Sequence, residues 1–121
     1  MTDVVLNSHL SIKDAIDRIV VDDVPLEELR VDVVRHAIHI VVPDGEKDLR
    51  KRKELVFVGA DKLQVIGAGL LTIEWIHNYE LRADGSRFAI SFHCAGNGKG
   101  LTHLSFEFEM VVILDRMAPG T

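Results

Sequence analysis

The residues able to do chemistry in this 121-residue chain are chiefly its six histidines and one cysteine. His77 and Tyr79 stand two apart in an alternating run, which places both side chains on one face of a β-strand. His77 could serve as a general acid or base lining a pocket with Tyr79 as its hydrogen-bond partner, so His77 and Tyr79 are the candidate catalytic residues. His93 and His103 lie on neighbouring runs whose alternation makes them cross-strand partners on a polar face. Two such imidazoles can share a metal or titrate as a coupled pair, so they are the candidate metal ligands. His36 and His39 form H-x-x-H, which is one face of a helix but opposite faces of a strand. No further ligand follows at a metal-site spacing. Cys94 falls opposite Trp75 in apolar company, where a thiol is normally inert. Each candidate also has a plainer reading, as a surface histidine on a half-wet sheet or a core imidazole with one hydrogen bond.

The glycine-rich stretches add no cofactor site. Gly96-Asn97-Gly98-Lys99-Gly100 lacks the phosphate-loop spacing, and no helix follows it. Gly67-Ala68-Gly69 fails as a dinucleotide fingerprint, because Thr72 stands where the third glycine belongs. The cofactor, if there is one, stays unnamed.

Charge narrows the partners. The chain carries a net −5, and residues 1–32 account for it with three basic and eight acidic groups. An acidic first third beside a neutral remainder does not suit a phosphate backbone, so no nucleic-acid partner is expected. The basic run Arg50-Lys51-Arg52-Lys53 sits among acidic neighbours and reads as a solvated loop. The uncharged stretch 63–73 is far shorter than the ~20 residues of a membrane span, and the start has no leader-like pattern. With one cysteine and no leader, the expected location is cytoplasmic and no membrane partner is expected.

The elements that must position these residues are mostly strands. Runs 70–82, 87–94 and 101–114 alternate with period two, as an antiparallel meander does. Asp84-Gly85 between the first two suggests a type I′ hairpin, so that paired residue numbers sum to 169. That register sets His77 opposite Phe92 and Tyr79 opposite Ile90 on an inner face with Trp75. Matching apolar residues on the third strand gives a sum of 196, pairing Phe92 with Leu104, Ser91 with Ser105 and His93 with His103.

Ahead of the meander, Ser11 resembles an N-cap, and Ile12, Ala15, Ile16, Ile19 and Val20 share one helical face until about Asp22-Asp23. Pro25 opens a second predicted helix to His36, with a strand to Pro43 after it, or else a single helix continuing to Val42. Residues 44–54 read as a charged, exposed loop or a ragged helical turn, and 55–58 with 63–66 as a small hairpin. The expected whole is one α+β domain over 1–121, helical over about 8–36 and sheet over about 37–115. One or two N-terminal helices then pack on one face of a twisted, mainly antiparallel sheet of about five or six strands.

Two functional classes follow. The preferred one is a small soluble binding or assembly domain, homo-oligomeric through the last strand. There Val111 and Ile113 join Met110, Val112 and Leu114 to make both faces apolar. The alternative is a small pocket enzyme or a metal- or ligand-binding protein using the sheet histidines. Its ligand would be a small molecule.

Overall fold

The computed structural model describes residues 4–20, 23–44, 50–67, 69, 73–96 and 100–117. Among them the chain runs β1 (Val4–Leu6), α1 (His9–Ile19), β2 (Val24–Pro25), β3 (Glu28–Asp32), β4 (Ala37–Pro43) and β5 (Lys51–Val58). It continues through β6 (Asp61–Gly67), β7 (Trp75–Asp84), β8 (Arg87–Ala95), β9 (Leu101–Phe108) and β10 (Met110–Met117).

These strands form two five-stranded sheets, ordered β1-β10-β5-β4-β3 and β2-β7-β8-β9-β6. Every pairing is antiparallel. The sheets pack face to face, because each presents one apolar side that must leave water. Phe57 of the first sheet sets its ring edge-on against Phe106, Phe108 and Phe92 of the second, at 4.9, 5.0 and 5.9 Å. Ile38, Ile40, Leu55, Val111 and Ile113 meet Ile76, Ile90, Phe92 and Leu104 in the same core, with Ile12 and Ile16 of α1. No described helix is long and apolar enough to cross a membrane.

Among the described residues the fold is therefore mostly antiparallel sheet with one short helix, and three expectations need correction. The first concerns the helices. α1 starts earlier than predicted: its cap is Ser8, whose side chain accepts from the Ser11 amide while Ser11 Oγ accepts from the Ser8 amide. Ser11 is thus the third helical residue, closing a capping box with Ser8. No second helix exists among the described residues. Instead β3 and β4 pair as a hairpin from Glu28 with Val41 to Asp32 with Ala37. Its turn has neither Gly nor Pro. His36 takes the left-handed φ of 52°, and Asp32 accepts a hydrogen bond from the Arg35 amide at 3.0 Å. A side-chain oxygen closing a turn in this way leaves little mark in a sequence.

The second correction concerns sheet number. β5 and β6 do not form a hairpin; they lie in different sheets. β9 and β10 likewise part at Glu109, which the alternation reads as the middle of one strand. Before Glu109 the buried residues are Thr102, Leu104, Phe106 and Phe108; after it they are Val111 and Ile113. One inserted residue reverses the phase, as a bulge does at a sheet corner. Beyond it Val111 and Ile113 face the core, while Met110, Val112 and Leu114 lie half-buried on the outer face of β10, so the last strand is apolar on both faces.

Both crossings meet at one corner. Gly59, at φ 69°, carries the chain from β5 to β6, and the Glu109 amide donates to Val58 O at 2.8 Å. Arg87 binds both passages, donating to Gly59 O at 2.7 Å and to Glu109 Oε1 at 3.3 Å.

The third correction is a register. β8 and β9 pair as predicted, with Phe92 opposite Leu104, Ser91 opposite Ser105 and His93 opposite His103. β7 and β8 are displaced by two residues: Tyr79 faces Phe92, Leu81 faces Ile90 and Asp84 faces Arg87. Gly85 and Ser86 are thus the two loop residues, and Gly85 alone of the two has positive φ, 64°. That is the glycine-first pattern of a type II′ hairpin.

Candidate functional site

The register shift moves the first candidate pair apart. A shift of two preserves faces, so Tyr79 stays inward, half-buried against Phe92 at 6.3 Å between ring centroids. Between Ile76 and Asn78, however, the pairing with β8 slips by one, and His77 is the extra residue. A bulge there turns Ile76 into the core and His77 out to solvent. His77 Nδ1 lies 2.5 Å from Asp23 Oδ1, and Asp23 itself sits at φ 57°. The Tyr79 hydroxyl points toward α1, donating to Asp17 Oδ1 at 2.5 Å. Burial first, and then the Asp17 carboxylate, push the phenol well above its ordinary value. Tyr79 holds the helix to the sheet. His77 and Tyr79 thus lie on different faces, and the expected inner-face His77 among Trp75, Tyr79 and Phe92 is not formed.

The second pair does come together. His93 and His103 stack with ring centroids 4.5 Å apart and planes 9° from parallel. In that arrangement their in-plane lone pairs run side by side, whereas a shared zinc needs both nitrogens converging at about 2.0–2.1 Å. Among the described residues no group of three or more His, Cys, Asp or Glu is placed to hold a metal. Cys94 lies fully buried on the inner face, opposite Ile76 rather than Trp75, and burial raises its thiol to about 11.

The stacked imidazoles border a larger feature on the outer face of the second sheet. Lys62, Gln64, Glu80, Arg82, Ala89, Ser91, Ser105 and Glu107 line an open groove of ≈ 500 Å³. Its floor follows from side-chain size: Ala89 and Ser91 on β8 and Ser105 on β9 are short, while β6 and β7 on either side carry long polar residues. Ser105 Oγ donates to Ser91 Oγ at 3.0 Å across the floor. Ser91 pairs with Glu80 on one side, and Ser105 with Gln64 on the other. His93 and His103 occupy the next row, between Asn78 and Ile66. The lining carries two cations and two carboxylates, Lys62 and Arg82 against Glu80 and Glu107.

A second polar cluster lies on the outer face of the first sheet. Glu54 is buried there, although its segment reads as a solvated loop. His39 Nδ1 lies 2.6 Å from Glu54 Oε2, and Arg116 donates to Oε1 at 3.0 Å and to Glu28 at 3.3 Å. Arg30 stands 3.7 Å from Oε2. Burial alone would raise the Glu54 carboxyl, but the bonds from His39 and Arg116 outweigh it and hold the group below its ordinary value. Alternation could have found Glu54, since it lies one residue out of phase with Leu55 and Phe57 in a strand. The basic run ahead of it masks that pattern. H-x-x-H is dissolved by the same hairpin, with His36 in the turn and His39 on the strand.

Comparison with protein-family models, with curated proteins and with solved structures finds no match for this chain.

Proposed function

We propose that this chain is a non-enzymatic binding domain whose ligand face is the outer surface of the second sheet. Its ligand is polar and uncharged. One observation carries the reading: the groove over Ser91 and Ser105 is lined by hydroxyl, amide, carboxylate and cationic groups whose charges balance. Lys62 and Arg82 supply donors, Glu80 and Glu107 supply acceptors, and Gln64 with the serines supplies both. Such a lining matches a ligand that alternates donors and acceptors. Balanced charge gives no attraction to a polyanion or polycation, which separates this face from a nucleic-acid site. The groove is also open rather than enclosed. Water is not excluded, as it is around most reacting centres.

Titration of isotope-labelled protein followed by amide NMR tests this. Neutral oligosaccharides, beginning with maltohexaose, are expected to shift the amides of Gln64, Ser91 and Ser105. Polyglutamate and polylysine are expected to leave them in place. Shifts confined to another surface, or produced only by the charged polymers, would refute the assignment.

A second reading has one observation in its favour, the adjacency of His93 and His103. A metal-binding role requires the two rings to unstack and converge. Titration with zinc should then give one equivalent of bound metal, lost in His93→Ala and in His103→Ala.

A further inference from the structure

The outer face of the second sheet continues past the groove. Its pairings set the outward residues in rows, and rows two residues apart along a strand lie about 7 Å apart. Glu80, Ser91, Ser105 and Gln64 form one row of the groove, and Asn78, His93, His103 and Ile66 form the next. One row further on, Ala95 stands between Trp75 and Leu101. Burial of Ile76, Cys94 and Thr102 in the core turns these three outward.

These last two rows differ in character from the groove. They hold no carboxylate, ammonium or guanidinium group, whereas two cations and two carboxylates line the groove. His77 and Asp23, at the border with β2, pair with each other at 2.5 Å. Ile66 and Leu101 keep 63% and 54% of their surface in water, and Trp75 is half-buried. The polar lining therefore ends at the two imidazoles, with apolar surface beside and beyond them.

The stack fixes how those imidazoles meet a ligand. Parallel rings 4.5 Å apart, at facing positions of adjacent strands, must stand on edge from the sheet. One face of each ring covers the other, and the distal Nε2 atoms lie along the outer edge. Neither ring has a hydrogen-bond partner among the described residues. A neutral imidazole donates from one nitrogen and accepts at the other. Two such edges side by side suit a pair of hydroxyls, each of which can do either.

Resting on the groove as the ligand face, we infer that the His93–His103 stack is its terminal subsite, which holds the end ring of a neutral oligosaccharide. A pyranose has the same division as this surface, with hydroxyls around its rim and apolar C–H groups on its faces. The rim hydroxyls bond to the imidazole edges, and Ile66, Trp75 and Leu101 take the C–H groups. The preceding units lie along β8 and β9 over Ser91 and Ser105. The rings stay stacked throughout, whereas a shared metal would require them to part.

Amide NMR with maltohexaose and cellohexaose, read together with the imidazole nitrogen resonances, tests the subsite on the full chain. Binding is expected to move the amides of Asn78, His93 and His103 along with those of Ser91 and Ser105, and to move the ring nitrogens of both histidines. His93→Phe and His103→Phe keep a ring on the strand but remove its nitrogens. Amide dispersion should persist in each while affinity falls on the order of tenfold. Ring nitrogens that stay in place while Ser91 and Ser105 shift, or equal affinity in both folded variants, would refute the terminal subsite and leave the groove standing. No shift on the second sheet with either sugar would overturn both.

Discussion

Replacement of Glu54 by alanine tests whether the outer face of the first sheet is held together by its polar cluster. The carboxylate accepts from His39 at 2.6 Å and from Arg116 at 3.0 Å, on a side chain only 7% exposed. A hydrogen bond to a charged group contributes about 1.5–3 kcal/mol, but both donors keep some access to water and recover part of that. The expected net loss is about 2–3 kcal/mol. An unfolding entropy of roughly 2.1 cal/mol/K per residue gives roughly 0.25 kcal/mol/K for 121 residues. The melting midpoint should therefore fall by about 10 °C.

The pH dependence supplies a second check with a definite sign. Glu54 titrates below its ordinary 4.5 in the folded protein. Its contribution is therefore complete above the unfolded value and disappears as pH falls through the folded one. The gap between wild type and Glu54→Ala should be full at neutral pH and shrink below about pH 4. Thermal melts by circular dichroism over a pH series would show this. A gap under about 1 kcal/mol at neutral pH, or one unchanged in acid, would refute the reasoning.

Three further predictions follow from other parts of the fold. Tyr79→Phe removes the hydroxyl that donates to Asp17 and should cost about 1 kcal/mol, with faster amide exchange confined to α1; unchanged exchange there would mean that the helix is held by Ile12 and Ile16 alone. The Cys94 thiol, raised to about 11 and fully buried, should resist a chromogenic disulfide reagent until denaturant is added; prompt labelling of native protein would contradict that placement. Gly59→Ala meets both a φ of 69° and the Glu109 side chain, so it should destabilise the chain by about 1–2 kcal/mol, and an unchanged midpoint would show that the corner can relax.

How much of this was legible in the sequence depended on whether one residue type decided the geometry. The β8–β9 register was legible because Phe88, Ile90 and Phe92 have only one apolar set to face, Phe108, Phe106 and Leu104. The β7–β8 register was not, because Asp84-Gly85-Ser86 supports either an Asp-Gly or a Gly-Ser loop, and both keep the same faces. The bulge at His77 then reversed the one face that mattered for chemistry. Nothing in Ile76-His77-Asn78 announces it; the driving force is burial of Ile76 in place of an imidazole. The apolar residues on both faces of the last strand were legible, but the change of sheet at Glu109 was not, because Glu109 continues the alternation of Glu107. The β3–β4 hairpin was hidden because its turn relies on Asp32 and a left-handed His36. Of the candidate sites, the His93–His103 pairing followed from the alternation. The groove beside it depended on which long side chains β6 and β7 bring to its walls.

The proposed ligand face on the second sheet has one most direct test. The decisive measurement is the affinity of the tightest neutral oligosaccharide for wild type and for a Ser91→Val/Ser105→Val double variant. Valine suits a strand and fills the floor with methyl groups, so the fold should persist while the hydroxyls are lost. Binding to wild type is expected at Gln64, Ser91 and Ser105, weakened on the order of tenfold or more in the variant. Equal affinity in the folded double variant, or no neutral ligand bound by wild type, would contradict it.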